Sequence, residues 1–370
     1  MLRLAFRNLC QSKVRLVISV GGVALALTLI MALDAIYTGA ERRVTAYIEN
    51  SEADVWVAQS GVRNLYMVSS WIPDSVAGDV DDVAGVEAVT PIMYLGGTLD
   101  AGEERSLAYV IGLPEDAEMG RPWRIGEGAV VPGPGEAVID SGVAKRFGLK
   151  IGDRVEVLGR ELEVAGLSRD TATITGSEAF ISTNDFEQVR GDRQTISFVL
   201  ARVEPGESPE AVAARIEDDV SGVTAQSRTA FAEQERKLIG DMAGDMLAIM
   251  NVAGFVIGLA VVALTVYTAT RDRHSEYGVL KAVGARNGHL YGTVLAQALY
   301  SVALGFVVAL AFTLLLSIVV PDLGPNLALW VSGASLLKVG ILSLVIAGLA
   351  AILSIKQIAG LDPALVLRAK

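Results

Sequence analysis

Charge falls along this chain in blocks. Leu16–Leu33 is 18 residues without an acid or a base, Met246–Thr270 is 25, Asn287–Pro321 is 35 and Val339–Ile355 is 17. A helix rising 1.5 Å per residue needs about 20 apolar residues to cross ~30 Å of hydrocarbon. The pattern therefore predicts four transmembrane helices, over residues 16–38 (the last residues beginning a stalk), 246–270, 287–320 and 336–355. The third run is longer than one crossing requires, which places its start at the membrane surface. Lys338, at the edge of the fourth run, can snorkel to an interface. Asp34, near the outer end of the first, is expected at the interface, with a buried functional acid as the alternative. Gly254 and Gly258 form a GxxxG pattern that lets helix backbones approach, and it fits self-association and packing within one chain equally.

Between the first and second spans, residues 39–245 alternate and recur as a mixed α+β domain does. Asp54–Val57 and Leu107–Ile111 read as strands. Ile196, Phe198 and Leu200 are expected on one strand face, with Ser197 and Val199 on the other. Ser208-Pro209-Glu210 is a helix start, a capping hydroxyl before a first-turn proline and an acid, and Val212, Ile216 and Val220 then recur every four residues. An inserted β-rich subunit is expected at about 134–190. In it Gly159-Arg160 reads as a two-residue hairpin turn, and Ser141–Phe147 as a short helix closed by Gly148. The Gly- and Pro-rich stretch 120–135 reads as the crossing between the two units. Phe231, Leu238, Ile239 and Met242 sit on helical spacing, and no proline lies between Pro209 and Pro321. One helix is thus expected from about Thr229 through the second span to Asp272, about 65 Å long. Gly240 and Gly244 weaken it by ~1 kcal/mol each. Gly39–Asn50, with Val44, Tyr47 and Ile48, is the matching stalk after span one.

Basic residues near span ends orient the chain. Residues 1–15 carry Arg3, Arg7, Lys13 and Arg15 and no acid; residues 271–286 carry Arg271, Arg273, Lys281 and Arg286; the tail 356–370 carries Lys356, Arg368 and Lys370. The connection 321–335 carries no base. Both termini and 271–286 are therefore expected in the cytosol, and the large domain outside a cell membrane. The first apolar run exceeds the ~7–15 residues of a signal-peptide core, so it is read as an uncleaved anchor.

Composition narrows the chemistry. Residues 40–245 hold 19 Lys or Arg against 37 Asp or Glu, a surface that repels nucleic acid. The external segment contains no Cys and no His: Cys10, His274 and His289 lie elsewhere. Internal disulfides, a Ser/His/Asp triad and a histidine-based metal site are excluded there. Paired carboxylates are the enzymatic option left, and acids scattered over an acidic surface are weak support for it. No GxxxxGK[ST] loop occurs, so no ATPase is expected in this chain; no metal or cofactor site of its own is expected either.

The segment 271–286 is mixed-charge and helix-friendly between two uncharged runs. Tyr277, Leu280 and Gly284 share one helical face, with Val283 beside them. Gly278 and Gly284 permit close approach, Tyr277 and Leu280 offer apolar anchors, and Glu276 and Lys281 can set register. A loop that touches only lipid headgroups would not need that apolar face.

Arg273-His274-Ser275-Glu276-Tyr277-Gly278-Val279-Leu280-Lys281-Ala282-Val283-Gly284-Ala285 resembles the R-x-x-E-I-G-I-L-K-A-L-G-A signature of the FtsX-like permease family. These are membrane subunits of MacB-type, or mechanotransmission, ABC transporters. The tail Asp362-Pro363-Ala364-Leu365-Val366-Leu367-Arg368 is similar to the family's D-P-x-E-A-L-R, with Leu365 and Val366 departing from it. Met1–Leu9 resembles its amphipathic first helix, and Gly148–Asp153 its G-L-x-x-G-D stretch. The resemblance implies a homodimer that works with two copies of a separate ATPase, which binds the ATP and Mg. It implies that Arg273, Glu276, Tyr277, Gly278, Leu280, Lys281 and Gly284 form the ATPase-coupling contact. Membrane lipid and an external adaptor protein are the further partners it suggests. Two functions follow. The chain exports or extracts an amphiphilic substrate, or it signals across the membrane to a cell-wall hydrolase or from an external peptide. The size of the external domain favours transport.

Overall fold

The computed structural model describes residues 13–272, 283, 287–323 and 329–359. Its contacts divide the described residues into a helical unit, formed by those up to Gly39 and from Ala243 onward, and an α/β unit formed by Ala40–Met242.

Four helices are long and apolar enough to cross a membrane: Lys13–Asn50 (α1), Arg228–Asp272 (α6), Asn287–Leu323 (α7) and Gly333–Ala359 (α8). The helical unit is centred on α1, whose Val23, Leu27, Ile30 and Met31 are buried together with Val262 and Val266 of α6, Val294 and Val302 of α7, and Ile346 of α8. Glycines permit this approach. A Cβ on Gly22 would lie 2.5 Å from Val261, and one on Gly305 would lie 2.5 Å from Val23. The outer faces of the helices remain apolar, for example at Ile249, Val256, Leu315 and Leu344, as lipid requires.

In the α/β unit the strands are β1 (Val55–Gln59), β2 (Ile72–Pro73), β3 (Val86–Ala101), β4 (Glu104–Leu113), β5 (Ile125–Gly128), β6 (Glu136–Asp140), β7 (Arg154–Val157), β8 (Arg160–Ser168), β9 (Ser177–Ser182), β10 (Thr195–Ile196), β11 (Phe198–Val203) and β12 (Val223–Ser227). Ten of them form one sheet in the order β12-β1-β11-β3-β4-β9-β6-β8-β5, with β7 bridging β3 and β8; β10 and β2 pair separately. The 16-residue β3 is the hinge of this order: Val86–Ile92 pairs with β11, and Met93–Ala101 pairs with β4. Four short helices pack on the sheet: α2 (Val76–Asp81), α3 (Ser141–Phe147), α4 (Thr183–Arg190) and α5 (Pro209–Asp219).

Local chemistry explains several elements. Asp140 caps α3 by accepting from the amides of Gly142 and Val143, and Gly148 closes it at φ 70°. Val212, Ile216 and Val220 bury one face of α5 against Val55, Val57 and Val199. β1 is covered on both sides, because Trp56 and Ala58 enter a second core with Tyr47, Phe198 and Phe231.

Three expectations shift. The hairpin turn is Leu158-Gly159 rather than Gly159-Arg160, since Val157 pairs with Arg160. Both turn residues have positive φ, 53° and 79°, as a type I′ turn needs. Leu158 accepts that conformation because its amide donates to the Thr98 carbonyl and its side chain covers Gly97. Ile196 does not share a face with Phe198 and Leu200. It packs with Val199 and Ala201 on the opposite core, because Ser197 breaks the alternation: its Oγ accepts from Tyr94 N at 2.9 Å and donates to Tyr94 O at 3.2 Å. The stretch 120–135 is more than a crossing, for it contributes β5 to the sheet edge.

Candidate functional site

Arg273, Glu276, Tyr277, Gly278, Leu280, Lys281 and Gly284, expected to form the ATPase contact, lie outside the described residues, as do Met1–Leu9 and the tail motif 362–368. The helix-packing pair is described. A Cβ on Gly254 would sit 2.7 Å from Ile30 Cγ1, and one on Gly258 would sit 3.3 Å from Ile346 and 3.4 Å from Ala26. Both glycines therefore face helices of the same chain. Asp34 and Lys338, read separately from the sequence, form an ion pair with Nζ 2.5 Å from Oδ1; Asp34 is buried and Lys338 half exposed. The pair ties α1 to α8, so Lys338 does more than snorkel.

The α/β unit holds a second constellation where α1 and α6 enter it. Trp56 of β1 is stacked on Phe231 of α6, with centroids 5.1 Å apart at 20°, and meets Tyr47 of α1 edge-on at 5.8 Å. The Tyr47 hydroxyl donates to the Gly120 carbonyl at 2.9 Å. Arg236 of α6 pairs with Glu49 of α1 on the same side. Each of the two helices thus contributes side chains to one aromatic core.

Beside this core lies a cavity of about 180 Å³. Val44 of α1 and Leu238, Ile239 and Met242 of α6 form apolar wall, and Tyr66, Tyr109, Thr175 and Glu235 supply polar groups. Tyr66, Tyr94 and Tyr109 form a ring cluster: Tyr66 meets Tyr109 edge-on at 4.7 Å, and Tyr94 stacks on Tyr109 at 5.9 Å. The Tyr66 hydroxyl donates to Glu178 Oε1 at 3.1 Å. Glu178 is fully buried, and its Oε2 meets no donor among the described residues. Glu235 Oε2 accepts from Leu65 N at 2.8 Å.

Burial dominates the electrostatics of this cluster. Desolvation pushes the Glu235 carboxyl up to about 7 against the backbone N–H groups of Leu65 and Tyr66, which favour the anion. Glu178 is raised well above the carboxylate range by burial, helped by Asp140 and opposed by the Tyr66 hydroxyl. Burial first, and then Glu178, raises the Tyr66 phenol. Glu235 lines the apolar void and can bind a polar group there, while Glu178 lies behind Tyr66, and the two carboxyl groups are not arranged around a reacting atom.

Sequence reading did not single out Tyr66, Tyr94, Tyr109, Glu178 or Glu235. A signal existed for two of them. Glu235 sits on the apolar stripe Phe231, Leu238, Ile239 and Met242, and Glu178 directly precedes the apolar run Ala179-Phe180-Ile181. The tyrosines come from three separate segments, and nothing in their spacing joins them.

Comparison with known proteins gives two family matches. Residues 16–219 match the MacB-like periplasmic core domain, and residues 248–363 match the FtsX-like permease C-terminal domain. A Mycobacterium tuberculosis protein named an uncharacterized ABC transporter permease is 23% identical over 367 residues, 99% of either chain. A Methanocaldococcus jannaschii protein of the same description is 21% identical over 403 residues, 98% of this chain and 96% of its own. Among solved structures, the extracellular domain of the noncanonic ABC-type transporter YknZ from Gram-positive bacteria aligns with a TM-score of 0.37 at 16% identity, covering 47% of this chain and 99% of that one. The periplasmic region of MacB from Actinobacillus actinomycetemcomitans aligns with a TM-score of 0.38 at 12% identity, covering 50% and 92%.

Proposed function

From the premise that this chain belongs to the family of MacB-like, FtsX-like ABC transporter permeases, we propose that it couples ATP hydrolysis by a separate ATPase to movements of its extracytoplasmic domain, and so exports or extracts an amphiphilic substrate. In this reading two ATPase subunits close on ATP and press on residues 271–286 of a permease homodimer with cytosolic termini. Arg273, Glu276, Tyr277, Gly278, Leu280, Lys281 and Gly284 receive that contact. The chain itself binds no nucleotide; ATP and Mg belong to the partner.

The observation that carries the reading is the way α1 and α6 end. Both continue from membrane-length apolar segments to side chains, Tyr47 and Phe231, that pack on the same tryptophan, Trp56. A displacement of either helix changes that core.

Copurification with the ATPase tests the coupling assignment. Tyr277→Asp with Leu280→Asp, and separately Glu276→Lys, should leave membrane insertion intact and abolish the complex. Loss of one partner of a desolvated charge contact is worth ~2–5 kcal/mol. Unchanged affinity in the purified double variant would refute the contact. Reconstituted complex whose ATPase activity rises with a lipid-like compound supports transport. Activity that rises only with an added protein would replace transport by signalling.

A further inference from the structure

We propose that the cavity walled by Val44, Tyr66, Tyr109, Glu235, Leu238 and Met242 is a binding site for a small aliphatic ammonium ion, with the charged end at Glu235 and the hydrocarbon along α6. The site lies within the α/β unit and stands whether or not an ATPase drives the chain.

Size sets the first limit. The cavity measures about 180 Å³ and suits a short aliphatic chain. That is too little for a drug-sized molecule, whose pockets run from roughly 300 Å³ upward. Shape chemistry sets the second. One wall is aliphatic and sulfur-bearing, from Val44, Leu238, Ile239 and Met242, and it favours a hydrocarbon over a polar chain. Charge sets the third. None of the described residues lining the cavity is a lysine or an arginine, and its one ionisable carboxyl, Glu235, is held by backbone amides and not by a cation. An anionic ligand would meet like charge at Glu235, and Arg43, which reaches the carbonyl of the lining residue Thr173 at 3.5 Å, is shared with Asp140 and Asp170. A neutral hydrocarbon would leave the carboxyl as badly solvated as it is now. An ammonium ion supplies the missing counter-charge, and the tyrosine rings beside the carboxylate offer π faces of the kind that attract such cations. Tyr66 and Tyr94 are the titratable side chains that sense the Glu235 charge, and Glu178 lies behind Tyr66, accepting from its hydroxyl.

The site joins the two helices. Val44 is on α1, while Glu235, Leu238, Ile239 and Met242 are on α6. A ligand seated there touches both segments at once, so occupancy and the separation of the two helices are linked.

The full chain in phosphatidylcholine nanodiscs at pH 8, where Glu235 is mostly ionised, provides the test. Saturation-transfer NMR is recorded with hexylammonium, hexan-1-ol and hexanoate, and empty nanodiscs set the background. Hexylammonium should bind, hexanol more weakly and hexanoate not at all. Glu235→Gln should weaken hexylammonium about tenfold or more, to the level of hexanol. Leu238→Trp, which fills the void and keeps the carboxyl, should abolish binding of both. Equal signals from hexylammonium and hexanoate, or no hexylammonium signal above empty discs, would overturn the proposal with the unaltered protein alone. A folded Glu235→Gln variant with undiminished affinity would do the same.

Discussion

Glu235 makes the α/β unit sensitive to pH in a definite direction. Its carboxyl titrates near 4.5 when exposed and near 7 in the fold, so between those values the folded chain holds a proton that the unfolded chain has released. Stability is then greatest at the acid end of that window and falls as pH rises through it, by about 3 kcal/mol in all. Glu178, raised in the same sense by burial, adds to the slope. Glu235→Gln keeps an oxygen to accept from Leu65 N and removes the titration. Thermal melts should show the variant close to the parent at pH 5 and more stable at pH 8. A variant equally destabilised at both values would mean that the carboxylate is not strained by burial. Tyr47 offers a second residue-scale check. Tyr47→Phe leaves the Gly120 carbonyl without its donor in a core where both are buried, which costs ~1–3 kcal/mol. Denaturant unfolding should report that loss, whereas Phe231→Ala, which opens a void against Trp56, should cost ~3–5 kcal/mol.

Elements carry a different set of constraints, because here the cost lies in how closely two helices approach. Gly305→Leu cannot be absorbed by a side-chain rotation, since the added Cβ would lie 2.8 Å from Val23 Cβ and 3.3 Å from the Ala24 amide nitrogen. Gly254→Ala meets one side chain and no backbone, Ile30 at 2.7 Å from Cγ1 and 3.3 Å from Cδ1. Thermal unfolding in detergent should therefore rank Gly305→Leu as far more destabilising than Gly254→Ala. Asp34 and Lys338 pin α1 to α8, so Asp34→Lys or Lys338→Asp alone should destabilise and the exchanged double variant should recover part of the loss, a coupling that a double-mutant cycle measures. The helices were legible in the sequence because uncharged length is a one-dimensional property. The long α6 was legible through Gly240 and Gly244 because no proline interrupts it. The hairpin register was not, since Gly159 suits either turn position and the choice falls to Leu158 covering Gly97. Nor was the phase of Ile196, which depends on Ser197 bonding to Tyr94 about a hundred residues away. Glu235 left a trace as an acid on an apolar stripe, but the tyrosines beside it are assembled only by the sheet.

At the scale of the whole molecule the question is whether α6 acts as one stiff element between its Asp272 end and the aromatic core. Gly244 is the informative position. Space around it is open, so an added side chain meets nothing within 4 Å, and it lies beyond the last cavity residue, Met242. Gly244→Ala raises helix propensity by ~1 kcal/mol without a clash. Gly244→Pro removes the bond to the residue 240 carbonyl and crowds it, at a cost of ~3 kcal/mol or more, so it kinks or breaks the helix there. Neither change touches residues 271–286, so both variants should copurify with the ATPase. If displacement travels along α6, ATP should alter amide hydrogen exchange around Leu65 and Trp56 in the parent and in Gly244→Ala, and should fail to do so in Gly244→Pro. An ATP-dependent change that survived the proline would place the mechanical connection elsewhere, with α1 as the remaining covalent route from the bilayer to Trp56. The alanine variant makes the comparison decisive, because it alters the same position while strengthening the property that the proline destroys.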